Sequence, residues 1–142
     1  MRKFYFILVA LLLLYGCAGT GTKEYSSIAR AIDDESGKKV FVYRDNVFVG
    51  SATLMQVRLN GIEIAKLGVE EMVIGNGEIG TNTLEVEIGG LGGLGLNTPS
   101  LTFELTDNQN SYFVLSLKQG WVSNKLQILE TTKSAWQALA QE

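Results

Sequence analysis

The chain has 142 residues, 46% hydrophobic and 19% charged, which fits one domain and excludes both a disordered tail and a polytopic membrane protein. It has no histidine and a single cysteine, so a histidine-based triad, a histidine metal cage, a zinc knuckle and an internal disulfide are all ruled out. With 12 Lys and Arg against 15 Asp and Glu the net charge is −3, a balance that argues against nucleic-acid binding.

The first element in chain order is a leader. Arg2 and Lys3 give a positive start, Phe4 to Leu14 is an apolar run, and Tyr15-Gly16-Cys17 follows. The apolar run is too short for a bilayer span, which needs about 20 residues, and has the length of a signal-peptide core. Gly16 precedes the lone cysteine and Leu14 stands three before it. This pattern resembles the lipobox of bacterial lipoproteins, from which it departs at Tyr15, where a smaller residue is usual. Other readings of the stretch are an ordinary signal peptide with an incidental cysteine, or a single membrane anchor. The resemblance implies cleavage between Gly16 and Cys17, with Cys17 carrying a diacylglyceryl group and usually an N-acyl chain. Each buried methylene contributes about 0.8 kcal/mol, so two or more chains anchor stably where one binds marginally. Ala18, in place of the aspartate that retains lipoproteins at the inner membrane, points to a periplasm-facing place on the outer membrane of a host with two membranes. The expected organisation is a signal peptide over 1–16, a lipidated cysteine, flexible tether and short helix over 17–37, and the folded domain over 38–142.

Ala18 to Thr22 has the composition of a flexible spacer. Tyr25, Ile28, Ala29 and Ile32 then recur at helical spacing, which predicts a short amphipathic helix over Glu24 to Ile32 that lies on the domain or frays. From Lys39 the period is two. Strands are predicted from Lys39 to Asp45, over Thr53 to Leu59 and over Ile62 to Leu67. Asn60-Gly61 joins the last two as a type I′ hairpin, because that turn needs positive φ at both central positions. Further strands are predicted at Thr83 to Ile88, Leu101 to Leu105, Tyr112 to Leu117 and Lys125 to Glu130, and a helix after Thr132 with Ala135, Trp136 and Leu139. About seven short strands between Gly and Asn turns give an all-β fold, an antiparallel β-sandwich or open barrel with short N- and C-terminal helices.

The ordered motifs Phe41-Val42-Tyr43-Arg44, Phe48-Val49-Gly50-Ser51, Asn60-Gly61 with Ile64-Ala65-Lys66-Leu67, and Ser111-Tyr112-Phe113-Val114 resemble a family of small bacterial lipoproteins built on a domain of unknown function. The resemblance covers Val40 to Leu139. Gly80-Thr81-Asn82-Thr83 stands where members usually carry a Pro-Gly-x-His segment, and the glycine- and leucine-rich stretch from Gly89 to Gly95 looks like an insertion. The resemblance implies a β-sandwich lipoprotein and no particular activity.

Few motifs suggest chemistry. Gly75 to Gly80 and Gly90 to Gly95 both match G-x-G-x-x-G, but neither opens a helix that could receive a pyrophosphate. Arg44, Arg58 and the glutamates from Glu63 to Glu104 read as a solvated sheet face, although a carboxylate pair with split pKa values could act as an acid. Ser51, Ser111 and Ser116 lack a histidine base, and a Ser–Lys arrangement would need Lys66 or Lys118 desolvated beside one of them. Trp121 and Trp136 read as core or end-cap residues, with Trp121, after Gly120, also a candidate to line a groove. Leu91, Leu94 and Leu96 form a candidate interaction loop, since apolar loop tips mark contacts with partners or membranes; folding back onto the sandwich is the alternative. No catalytic residue, metal or cofactor is expected. The leading functional expectation is a membrane-anchored, non-catalytic binding or structural module that contacts another envelope protein. A periplasmic carrier of an apolar or glycan ligand is the alternative, and a hydrolase is disfavoured.

Overall fold

The computed structural model describes residues 19–34, 36–46, 53–89, 93 and 95–142. The described residues form an all-β structure of two four-stranded sheets flanked by short N- and C-terminal helices. In chain order they are α1 (Tyr25–Asp33), β1 (Lys39–Arg44), β2 (Met55–Leu59), β3 (Ile62–Leu67), β4 (Met72–Asn76), β5 (Gly80–Ile88), β6 (Ser100–Leu105), β7 (Ser111–Lys118), β8 (Lys125–Thr131) and α2 (Lys133–Ala140). One sheet runs β4-β1-β7-β8 and the other β3-β2-β5-β6. Pairing is antiparallel except between the central strands β1 and β7, which lie parallel because the chain leaves for the second sheet and returns between them.

The layers follow from side-chain parity. In β1, Val40 and Val42 point between the sheets, while Phe41 and Tyr43 point the other way. Both faces are covered, so the strand is apolar nearly throughout and not alternating. The inter-sheet core adds Met55, Val57 and Leu59 of β2, Leu84, Val86 and Ile88 of β5, Phe103 and Leu105 of β6, and Phe113, Leu115 and Leu117 of β7. On the outer face of the first sheet, Phe41, Tyr43, Tyr112 and Val114 meet Ile28 and Ile32 of α1 and Trp136 of α2. Trp136 is fully buried, packs edge-on to Phe41 at 5.7 Å between centroids, and donates its indole N–H to the Phe113 carbonyl at 3.1 Å. Thr132 caps α2 by accepting from the Ala135 N–H, and Gln137 donates to the Tyr25 hydroxyl, joining the two helices. The predicted N-terminal helix therefore lies on the domain and supplies core residues.

The Asn60-Gly61 hairpin is as predicted, with φ of 51° at Asn60 and 79° at Gly61. Met72–Asn76 is an additional edge strand. Its Gly75 faces inward, where a Cβ would stand 2.9 Å from the Leu59 side chain and 3.1 Å from that of Ile64.

The pairings define two ends. At the distal end, Asn82 is buried and closes the sandwich with every polar atom used. It donates to the Glu78 and Gly80 carbonyls at 2.7 and 2.9 Å and accepts from the Glu78 N–H and the Asn60 amide, both at 2.9 Å. At the proximal end lie Arg44, the starts of β2, β4, β6 and β8, and the ends of β3, β5 and β7. The N-terminal segment also meets the domain at this end.

Candidate functional site

The proximal end is built around Arg44. It continues the inward parity of Val40 and Val42, and with 1% exposure it is a buried plug and not part of the solvated face expected from the sequence. Its Nη1 donates to the Thr53 carbonyl and, at 2.8 Å, to the Leu67 carbonyl, so one guanidinium ties the start of β2 to the end of β3. Its own backbone pairs with the 68–71 turn, Arg44 N–H to the Glu71 carbonyl and Glu70 N–H to the Arg44 carbonyl, both at 3.0 Å. Burial pulls the Arg44 pKa down, and the neighbouring Asp45 and Glu71 charges oppose that shift. Burial likewise raises the Asp45 carboxyl, against a hydrogen bond from Ser116 and the Arg44 charge. Guanidinium stays protonated across the physiological range, so its role here is to join backbone carbonyls that would otherwise be desolvated without donors.

Beside this plug the chain enters the domain. Thr20 N–H donates to the Lys66 carbonyl and its hydroxyl oxygen accepts from the Lys66 N–H, each at 2.8 Å. Thr22 exchanges backbone bonds with Met72 at 3.0 and 2.8 Å. The segment read as a flexible spacer is thus, from Gly19 to Thr22, strapped across β3 and β4. Gly21 makes the close approach possible, since a Cβ there would lie 2.5 Å from the Leu67 side chain and 3.0 Å from the Met72 carbonyl. Gly16 and Cys17 lie outside the described residues.

The candidate interaction loop divides. Leu91 and Leu94 lie outside the described residues, while Leu96 is half-buried and packs against the inter-sheet core. Asn97 fixes the end of this loop to β8, its amide donating to the Leu126 carbonyl and accepting from the Leu126 N–H, both at 2.9 Å. The amide imitates a strand partner and closes the side of the sandwich between the sheets.

The exposed apolar tip is the β7–β8 turn, whose Trp121 the sequence offered as a core, end-cap or groove-lining residue. Trp121 has 107% and Val122 100% of their reference exposure, so neither is a core or end-cap residue. The turn is tight: a Cβ on Gly120 would lie 2.3 Å from the Ser123 carbonyl oxygen, which holds Trp121 and Val122 at the corner. Lys118 and Lys125 face each other across the strands at its base, both exposed. Gly120 next to a tryptophan, between two lysines seven residues apart, is the signal that was legible in the sequence.

Elsewhere the sequence-flagged side chains do not converge. The outer face of the second sheet is polar, with an Arg58–Glu87 ion pair at 2.9 Å whose side chains are about one third exposed. Among the described residues no group of three potential metal ligands comes together, and no helix is long and apolar enough to cross a membrane. Lys66 and Lys118 are exposed, so neither is the desolvated base that Ser111 or Ser116 would require; Ser51 lies outside the described residues. Gly75 to Gly80 runs from β4 into β5 with no helix after it. The chain matches no family model, no curated protein and no solved structure.

Proposed function

We propose that the protein is a bacterial envelope lipoprotein of the small domain-of-unknown-function type, anchored through lipid on Cys17 to the outer membrane and facing the periplasm, where its domain serves as a non-catalytic binding or structural module. The leader supplies the anchor in this reading. The observation that carries it furthest is the strap at Gly19 to Thr22, which holds the chain to β3 and β4 by four hydrogen bonds just after the proposed lipidation site. From Cys17 to Gly19 is two residues, at most about 7 Å of chain, so a lipid there would hold the domain on the bilayer and not on a stalk. The inter-sheet space is filled by side chains of both sheets, which favours a structural or binding module over a carrier. The distal end then faces away from the membrane. There Ile62 and Ile79 are 71% and 55% exposed beside the Asn60–Asn82 network, a surface open to another envelope protein.

The experiment is metabolic labelling with palmitate in a lipoprotein-processing bacterium. The wild-type chain takes up label and sediments with the outer membrane, whereas Cys17→Ser remains unlabelled and unprocessed at the inner membrane. Label retained by Cys17→Ser would overturn the anchor.

A further inference from the structure

We propose that the Trp121-Val122 turn is a second membrane contact, inserted among the headgroups of an anionic bilayer. The inference rests on the lipid-anchor reading for its direction and on three separate observations for its substance. First, the turn lies at the proximal end, where Gly19 to Thr22 is strapped: β7 ends there, and Lys66 and Met72, which hold Thr20 and Thr22, stand near the end of β3 and at the start of β4. The strap sits beside β4 and the turn caps β8, the two edges of one sheet, three strand spacings or about 14 Å apart. A lipid at one corner and an apolar turn at the other would give two points of attachment and hold the sandwich upright.

Second, the tip has interfacial chemistry. Tryptophan has an apolar body with a polar N–H and favours the headgroup level of bilayers, and Val122 beside it adds apolar surface at the same height. A fully exposed Trp-Val pair on a tight turn has no counterpart among the described residues, where Trp136 is buried. Third, the charge at the turn itself is complementary. The chain is acidic overall, yet Lys118 and Lys125 flank this turn and the residues between them carry no acid. Two ammonium groups, each three residues from the tip, are placed to reach phosphates while the apolar pair lies deeper.

The test uses the protein purified from bacterial membranes, with its acylation read by mass, and reconstituted into phosphatidylethanolamine–phosphatidylglycerol vesicles containing brominated acyl chains. Trp136 is buried against Phe113, so the Trp121→Ser protein supplies the background and the difference reports Trp121. The expected result is loss of most Trp121 emission to the brominated lipid, a blue shift, and loss of quenching by aqueous iodide. An acylated, vesicle-bound protein whose Trp121 ignores brominated lipid and stays open to iodide overturns the docking while leaving the anchor reading intact. An unacylated protein overturns the anchor; docking then survives only where Trp121 of that protein is still quenched on the vesicles, and falls otherwise. Trp121 shielded in native membranes but open in pure lipid vesicles means that a protein covers the tip, which also overturns the proposal.

Discussion

Arg44 shows how one side chain can close a sandwich that its neighbours only line. A methylene-rich stem passes along the end of the core while the guanidinium supplies donors to two carbonyls, that of Thr53 just before β2 and that of Leu67 at the end of β3. Arg44→Ala removes hydrogen bonds from a charged donor, each worth roughly 1.5–3 kcal/mol, so denaturant unfolding should show a loss on the order of 3 kcal/mol. A loss within about 0.5 kcal/mol, the range of an ordinary surface change, would mean the plug is dispensable. The sequence placed Arg44 among solvated charges because strand parity alone cannot tell which face of a terminal strand residue is covered. Its position two residues after Val42 was the available clue. Asp34 is the opposite case, an exposed carboxylate at the end of α1. A hydrogen bond from Lys39, helped by the Ser36 N–H, lowers its pKa from 3.8 to about 2. The native state therefore holds the ionised form more tightly than the unfolded chain does, and this stabilisation is present above about pH 4 and lost as the pH falls through about 2. Thermal melts of the wild-type and Asp34→Asn proteins should differ at neutral pH and converge over that window; a gap as wide at pH 2 as at neutral pH would contradict the assignment.

At the scale of elements, hairpins were legible and layers were not. Asn60-Gly61 identifies its turn locally, since only residues tolerant of positive φ fit there. Gly61→Val meets no neighbour within 4 Å yet must hold φ near 79°, so it should destabilise by about 1–3 kcal/mol through backbone strain alone. An unchanged melting temperature would contradict the turn type. The alternating strand β5 was equally plain because one of its faces is wet. By contrast, β4 escaped notice: three apolar residues followed by Gly75 and Asn76 look like a turn, and only the pairing to β1 makes them a strand. The spacer was misjudged from Gly19 to Thr22 for a related reason. Small residues mean flexibility when nothing is near, and close approach when a sheet edge is, as Gly21 shows against Leu67 and Met72. Leu96 and Asn97 illustrate the same dependence, since a loop rich in glycine is tied down by one half-buried leucine and one amide.

For the whole molecule, the helices matter because they turn one sheet into a middle layer. With α1 and α2 on the outer face of the β4-β1-β7-β8 sheet, its central strands β1 and β7 are buried on both sides, while the β3-β2-β5-β6 sheet keeps a polar outer face. Arg44 closes the proximal end and Asn82 the distal end, and the most exposed apolar side chains among the described residues stand at turns: Trp121 and Val122 proximally, Ile62 and Ile79 distally. The fold class was readable from period and turn residues; the Gly120-Trp121 pattern between two lysines was readable too, but its exposure was not, because a tryptophan in sequence is more often core than surface. This two-ended arrangement becomes a membrane-proximal module only if the chain is anchored just before Gly19. The most direct measurement is therefore the mass of the N-terminal peptide of the protein recovered from bacterial membranes. The account predicts a chain that begins at Cys17 and carries diacylglyceryl and N-acyl groups; a chain that begins elsewhere, or at an unmodified Cys17, would contradict it.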